Sequence, residues 1–236
     1  MHQLNYFLRL TYLNNQRRDS VRLEAGSITN AQEIAQIYQT AFPESVRFFF
    51  GSKKPARLNS LLTNSFGLVL LWGGQVLLAR NWEHQVVGYC IYSKKPNPIW
   101  RNLSWQMLGS TLRMGGSVLI SIRPSEVIRL AFNKLIMAVQ AKRYWSPPPE
   151  KGRIVSIAVS PTVQGSGIGT QLLTAALQKL DKHSVFLNVR TKNQAGRRMY
   201  EGANFQYYGQ TKDLLGEWLM MVRLSETTNP SHLDFP

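Results

Sequence analysis

A single cysteine, Cys90, stands in 236 residues, so no internal disulfide can form and the chain suits a reducing compartment. With His2, His84, His183 and His232 it makes no cluster at metal-ligand spacing, so no metal is expected. Acids are scarce: 13 Asp and Glu face 28 Lys and Arg, a formal charge of +15. Such an excess favours an anionic partner, an acidic membrane surface or, less readily, nucleic acid, unless it serves solubility alone. Long apolar runs are missing too. Arg9 cuts the N-terminal run that a secretory signal would need, although an organelle transit sequence stays open. Gly73, Gly74 and Gln75 interrupt Phe66 to Ala79, the nearest approach to a membrane span. A soluble or peripheral cytoplasmic protein is expected. The composition, 44% hydrophobic and 17% charged, excludes a disordered chain and fits a single domain over 1–236.

Along the chain, a basic N-terminal extension leads to a first strand near Ser20 to Leu23. Thr29 to Phe42 reads as a helix capped by Thr29 or Asn30 and stopped by Pro43. Glu44 to Leu62 reads as a basic, aromatic loop with Arg47, Phe48, Phe49, Phe50, Lys53, Lys54 and Arg57. Gln75 to Arg80 and Val86 to Ser93 are strands of a hairpin with His84 in its turn. Residues 96–151 follow, too long for a structureless loop and therefore helical, with one helix over Ser125 to Arg143 and a stiff end at Pro147 to Pro149. Between Arg101 and Arg143 seven Lys or Arg accompany the lone Glu126. Such a segment suits an anionic membrane interface or a lid, as against a helical pair packed on the core. The tail, 225–236, reads as loose.

The most informative stretch is Arg153 to Leu180. Ile154 to Val159 is a β-branched apolar run ended by Pro161. Gln164, Gly165, Ser166, Gly167, Ile168 and Gly169 form a loop, and Leu172, Leu173, Ala176, Leu177 and Leu180 then recur at helical spacing. The first amides of a helix lack partners and carry the positive end of its dipole. Glycines let such a loop turn tightly and admit a phosphate, unless this is an ordinary turn before a surface helix. No Gly-Lys-Ser/Thr follows and Thr170 stands where a Walker lysine would, so this is not an ATP loop; no acidic residue follows at dinucleotide spacing either.

Ile157-Ala158-Val159, Pro161 and Gln164-x-x-Gly167-x-Gly169 together resemble the motif with which the GNAT superfamily of N-acetyltransferases holds the pyrophosphate of acetyl-coenzyme A. A second block, Leu187 to Phe205 with Asn193, Tyr200 and Phe205, resembles the ribosomal-protein N-terminal acetyltransferases and their relatives. The resemblance implies an α/β GNAT fold: a mixed, mostly antiparallel sheet flanked by helices, here with a helical insertion between the third and fourth strands. It implies acetyl-coenzyme A as co-substrate, bound by Ile157, Ala158, Val159, residues Gln164 to Thr170 and Asn193. Main-chain amides around Ala158 and Val159 would meet the acyl carbonyl, and Tyr200 would protonate the departing thiolate. It also gives the Glu44 to Leu62 region a part in the acceptor site. Asn188, however, stands where those N-terminal acetyltransferases carry a Glu, and Asn cannot accept a proton. A relayed water, a neutral amine, or Glu44, His84 or Glu150 would then replace that base. A small amine, an amino sugar and a peptide all fit as acceptor. The alternative is an inactive coenzyme A-binding domain serving as a basic membrane or nucleic-acid adaptor.

Overall fold

The computed structural model describes residues 21–51, 53–94, 105–144 and 151–225. The N-terminal extension, Pro147 to Pro149, Glu150 and the tail beyond Ser225 lie outside the described residues.

Eight strands form one sheet among the described residues: β1 (Arg22–Ala25), β2 (Gln75–Arg80), β3 (Val86–Ser93), β4 (Lys142–Arg143), β5 (Lys151–Val159), β6 (Ser184–Arg190), β7 (Gln206–Asp213) and β8 (Gly216–Arg223). Their order is β1-β2-β3-β5-β6-β8-β7-β4. The β5–β6 pair is parallel and the others are antiparallel. Alternation along the strands sends Leu77, Ala79, Cys90, Val185, Leu187 and Val189 to one face, covered by α6 (Ile168–Lys179). Val76, Leu78, Tyr89, Ile91 and Ala158 go to the other, covered by Ile34 and Ile37 of α1 (Ala31–Ala41).

Asn30 stands at the N-cap of α1, one of the two positions expected, but its side chain makes no cap bond to that helix. A 3-10 turn, Ile28–Asn30, precedes the helix, and the capping side chain is Ser27, whose Oγ accepts from the Thr29 N–H while its own N–H donates to Asn30 Oδ1. The region from Glu44 to Leu62 is not a loop. It holds nearly all of α2 (Pro43–Phe50) and the N-terminal part of α3 (Pro55–Leu71). Both begin with proline, which costs nothing in a first turn whose N–H has no helical partner. Pro43 therefore starts a helix as well as ending one.

Between β3 and β5 stand α4 (Trp105–Ser121) and α5 (Pro124–Val139), followed by the two-residue β4 on the far edge of the sheet. This hairpin is clamped at both ends. Lys53 Nζ donates to Ser121 O at 2.5 Å and Arg57 Nη2 to Ile120 O at 2.6 Å, tying the α4–α5 turn to the region entering α3. Thr211 Oγ1 donates to Met137 O at 2.6 Å, and Leu214 N–H to Asn133 Oδ1 at 3.0 Å, tying α5 to the β7–β8 hairpin. The polar Glu126 and Asn133 of α5 are buried, and Ile128, Phe132, Leu135 and Val139, between 53% and 75% exposed, point outward.

Candidate active site

Strand β5 pairs with β3 from Arg153 to Val159, but with β6 only through Lys151, Gly152 and Arg153, opposite Ser184, Val185 and Phe186. Beyond Arg153 and Phe186 the two parallel strands part, leaving one edge of β5 unpaired. Ser160 N–H donates to Val87 O at 2.8 Å. Because main-chain groups alternate along a strand, Ala158 turns its amide toward β3, while Ile157 and Val159 turn theirs toward the gap. Of the two amides that the resemblance assigns to the acyl carbonyl, Val159 alone faces the space between the strands. Its carbonyl accepts from Gln164 Nε2 at 3.0 Å, leaving the N–H.

A 3-10 turn, Pro161–Val163, carries the chain from β5 to the glycine loop. Gly165 has φ +84° and Gly167 φ +82°, left-handed values that side chains with a Cβ rarely adopt. A Cβ on either would meet open space, so conformation, not room, selects glycine there. At Gly169 the reason is proximity: a Cβ would lie 3.2 Å from Met199 Sδ. Gly167 caps α6 without a side-chain bond, and the first amide of the helix to find a carbonyl is that of Gln171, bonded to Gly167 O at 3.0 Å. The amides of residues 164 to 170 have no protein partner among the described residues. Gln164, Gly165, Gly167 and Thr170 are exposed, Ser166 Oγ bonds Val163 O at 2.7 Å, and Ile168 anchors the helix in the core. The arrangement is an open nest of N–H groups at a positive helix end, the geometry that receives a phosphate.

Tyr200 belongs to α7 (Gln194–Gly202), and Asn193 is its N-cap. Asn193 Oδ1 accepts from Gly196 N–H at 2.9 Å, so its oxygen caps this helix. At the other end, Asn204 takes φ +63°, its N–H bonds Glu201 O and Phe205 N–H bonds Tyr200 O, both at 3.0 Å. That is a Schellman cap with Asn in the left-handed position. The Tyr200 and Phe205 rings meet edge-on at 5.8 Å, completing it. The cap thus fixes Tyr200 in the core cluster beside Cys90, Ile157 and Val159. Burial, with Cys90 nearby, pushes the Tyr200 phenol well above its ordinary pKa and keeps it protonated, the form a proton donor needs. Its hydroxyl makes no hydrogen bond among the described residues.

On the opposite face of the sheet, where β5 and β6 begin to part, a cleft of about 610 Å³ lies between the strands and α5. Arg153 and Phe186 line it at the parting point, with Asn188 farther along β6. Lys134 of α5, Arg143 of β4 and Lys151 of β5 complete a basic wall. No Asp, Glu or His is among its described lining residues. Glu44 lies on α2 and His84, with φ +61°, in the β2–β3 turn, and neither borders this cleft. The basic wall escaped the sequence reading because its members come from separate segments that only the fold assembles.

The sequence profile of the Acetyltransferase (GNAT) family matches residues 120–205, a span that includes α5. An N-alpha-acetyltransferase RimI of Mycobacterium tuberculosis is 39% identical over 62 residues, 26% of this chain and 39% of that protein. The chain therefore spans about two fifths of that relative's length. Among solved structures, a histone acetyltransferase HPA2 and related acetyltransferase from Corynebacterium glutamicum superposes with a TM-score of 0.56 at 17% identity, covering 89% of this chain and 99% of that one. The ribosomal-protein-S18-alanine N-acetyltransferase of Escherichia coli gives a TM-score of 0.52 at 13% identity, covering 92% and 100%. The fold is the one shared by these acetyltransferases.

Proposed function

We propose that this chain, whose residues 120–205 match the acetyltransferase (GNAT) family, transfers an acetyl group from acetyl-coenzyme A to an amine. The observation that carries the reading is the set of unpartnered amides from residue 164 to 170, which follow the end of β5 whose edge beyond Arg153 is left free by β6. The diphosphate sits on those amides, and the pantetheine arm lies along the free edge of β5. Val159 N–H then meets the acyl carbonyl and stabilises its developing negative charge. The lone pair of a neutral amine attacks the thioester carbon, a C–N bond forms and the C–S bond breaks. Tyr200 gives its proton to the thiolate, and the surplus proton on nitrogen leaves to water, from which the phenolate is reprotonated. Holding both reactants in one cleft removes much of the entropic cost of their meeting.

The partial match to an N-alpha-acetyltransferase supports the α-amine of a peptide as acceptor. The test is thiol release from acetyl-coenzyme A with a panel of free peptides, beside calorimetric titration of the cofactor. Cofactor binding with peptide turnover is the expected result. Binding without turnover on any amine would leave the inactive adaptor as the correct reading, and no binding would end both.

A second observation favours peripheral attachment to an anionic membrane. Ile128, Phe132, Leu135 and Val139 form an outward stripe on α5, with Leu112, Leu119 and Ile120 of α4 also exposed. The lone acid of these helices, Glu126, is buried. An apolar face accompanied by Arg and Lys suits a lipid headgroup layer, where cations meet phosphates and aliphatic groups enter the acyl boundary. No helix of the described residues is long and apolar enough to cross a membrane. Sedimentation with phosphatidylserine-containing vesicles is expected, and is expected to be lost on Phe132→Glu with Leu135→Glu. Retention of vesicle binding by that variant would sink the reading.

A further inference from the structure

The cleft where β5 and β6 part has a one-sided electrostatic lining. Lys134, Arg143, Lys151 and Arg153 border it from one helix and two strands, all four are exposed, and none is in an ion pair among the described residues. Elsewhere Lys53 pairs with Glu126, Arg80 with Glu24 and Glu33, and Arg190 with Asp213. Unpaired cations gathered at a concave wall repel one another and are held apart from counter-charge only by water, so a ligand bringing negative charge gains from all of them. The rest of the wall, Met137, Ala138, Phe186 and Met220, is apolar and receives the ligand's body.

We infer that the acceptor is a peptide whose free N-terminus is followed closely by acidic side chains, which Lys134, Arg143, Lys151 and Arg153 bind while the amine enters the gap that opens between β5 and β6 beyond Arg153. The inference rests on the acetyl-transfer reading for the amine's role, and on the cleft itself for the charge preference. It also accounts for the lack of a carboxylate where β6 carries Asn188. A surrounding positive field disfavours an ammonium, and an α-amine, with an ordinary pKa of about 7.7–8.0, already holds a free-base fraction at neutral pH. A cleft of this sign therefore supplies the neutral nucleophile without a proton-accepting side chain, and a carboxylate there would repel the acidic acceptor.

The experiment measures peptide binding directly, so that it does not depend on turnover. Calorimetry with coenzyme A present compares three peptides with the same N-terminal residue and Glu, Gln or Lys at the next three positions. The Glu peptide is expected to bind at least tenfold more tightly than the Gln peptide, with the Lys peptide weakest and the difference shrinking with added salt. Lys134→Glu with Arg153→Glu, both exposed positions, is expected to reverse the order with an unchanged heat-unfolding midpoint. Equal binding of the Glu and Gln peptides, or a double variant that keeps the original order, would overturn the inference whether or not any peptide is acetylated. Preferential binding of the Glu peptide without thiol release would instead uphold the charge preference and remove the acetyl-transfer reading.

Discussion

Lys53 Nζ stands 2.6 Å from Glu126 Oε2, and the two side chains are 1% and 4% exposed. This pair joins the segment entering α3 to the first turn of α5, across which the Arg123 N–H also donates to Glu126 at 2.8 Å. Burial alone would raise the Glu126 pKa, but the Arg123 and Lys53 hydrogen bonds overcome it and hold the carboxyl below its usual range. Removing one partner strands the other charge away from water. Lys53→Met is therefore expected to lower unfolding free energy by about 3–5 kcal/mol. Lys53→Met with Glu126→Leu, which removes both charges, is expected to recover most of that loss. Urea denaturation of the three proteins checks it, and a double variant no better than the single one would show that the ion pair contributes net stability of its own.

Tyr200 offers a sharper division between structure and chemistry. Its ring is held by the Phe205 contact and the helix cap, while its hydroxyl bonds to no described residue. Tyr200→Phe keeps the ring, so the unfolding midpoint is expected to stay nearly constant. Loss of a proton donor to the leaving thiolate is expected to cost about 100-fold or more in kcat with little change in KM. A kcat within about threefold of the parent would remove Tyr200 from the reaction.

These two sites differ in how far the sequence revealed them. The β5 run, the glycine loop and the face of α6 are local patterns within some thirty residues, and each residue's neighbours in sequence are its neighbours in space. Tyr200 is singled out by the resemblance of the block Leu187 to Phe205 and lies on α7, whose end Asn204 caps in the left-handed region. Helices α2 and α3 lie where the sequence suggests a loop: Pro43 reads as the stop of α1, although a first-turn proline is as compatible with a helix start, and Pro55 starts α3 in the same way. The helix expected over Ser125 to Arg143 is observed as Pro124–Val139, while the sequence leaves open whether its apolar residues face the core or outward. Lys53 and the β7–β8 hairpin satisfy Glu126 and Asn133 on the inner side, so tertiary hydrogen bonds decide the orientation. The basic wall of the cleft has no local signature at all.

The glycine loop gives a comparison of opposite signs. Gly167 at φ +82° places the first turn of α6, and a Cβ there strains the backbone without touching a neighbour. Gly167→Ala is expected to destabilise by about 1–2 kcal/mol and to weaken coenzyme A binding by shifting the amides that face the diphosphate. Gly202, in the last turn of α7, has ordinary helical φ and open space around it. Gly202→Ala is expected to stabilise by about 0.5–1 kcal/mol and leave coenzyme A affinity unchanged. Urea midpoints and cofactor titrations on the pair decide it: equal losses of affinity in both variants would mean that the loop's conformation is not what binds the cofactor.

Acid should unfold this protein through a small set of carboxylates. Asp213 is buried, which by itself raises its pKa, but the Arg190 guanidinium at 2.6 and 3.0 Å and the Leu215 N–H outweigh that and hold it below the ordinary value. Glu33, bonded by Arg80 at 2.9 Å, and Glu126 are lowered in the same way. A carboxyl whose folded pKa lies below its unfolded one binds fewer protons when folded, so its stabilisation is complete above the unfolded pKa, about 4, and disappears as pH falls through the folded value. The urea midpoint is therefore expected to vary little between about pH 6 and 8 on account of these groups and to fall steeply below about pH 4.5. Asp213→Asn should start lower at neutral pH and show a shallower acid slope, because one of the titrating groups is gone. A parallel slope in that variant would mean that the Arg190–Asp213 pair does not contribute to acid sensitivity.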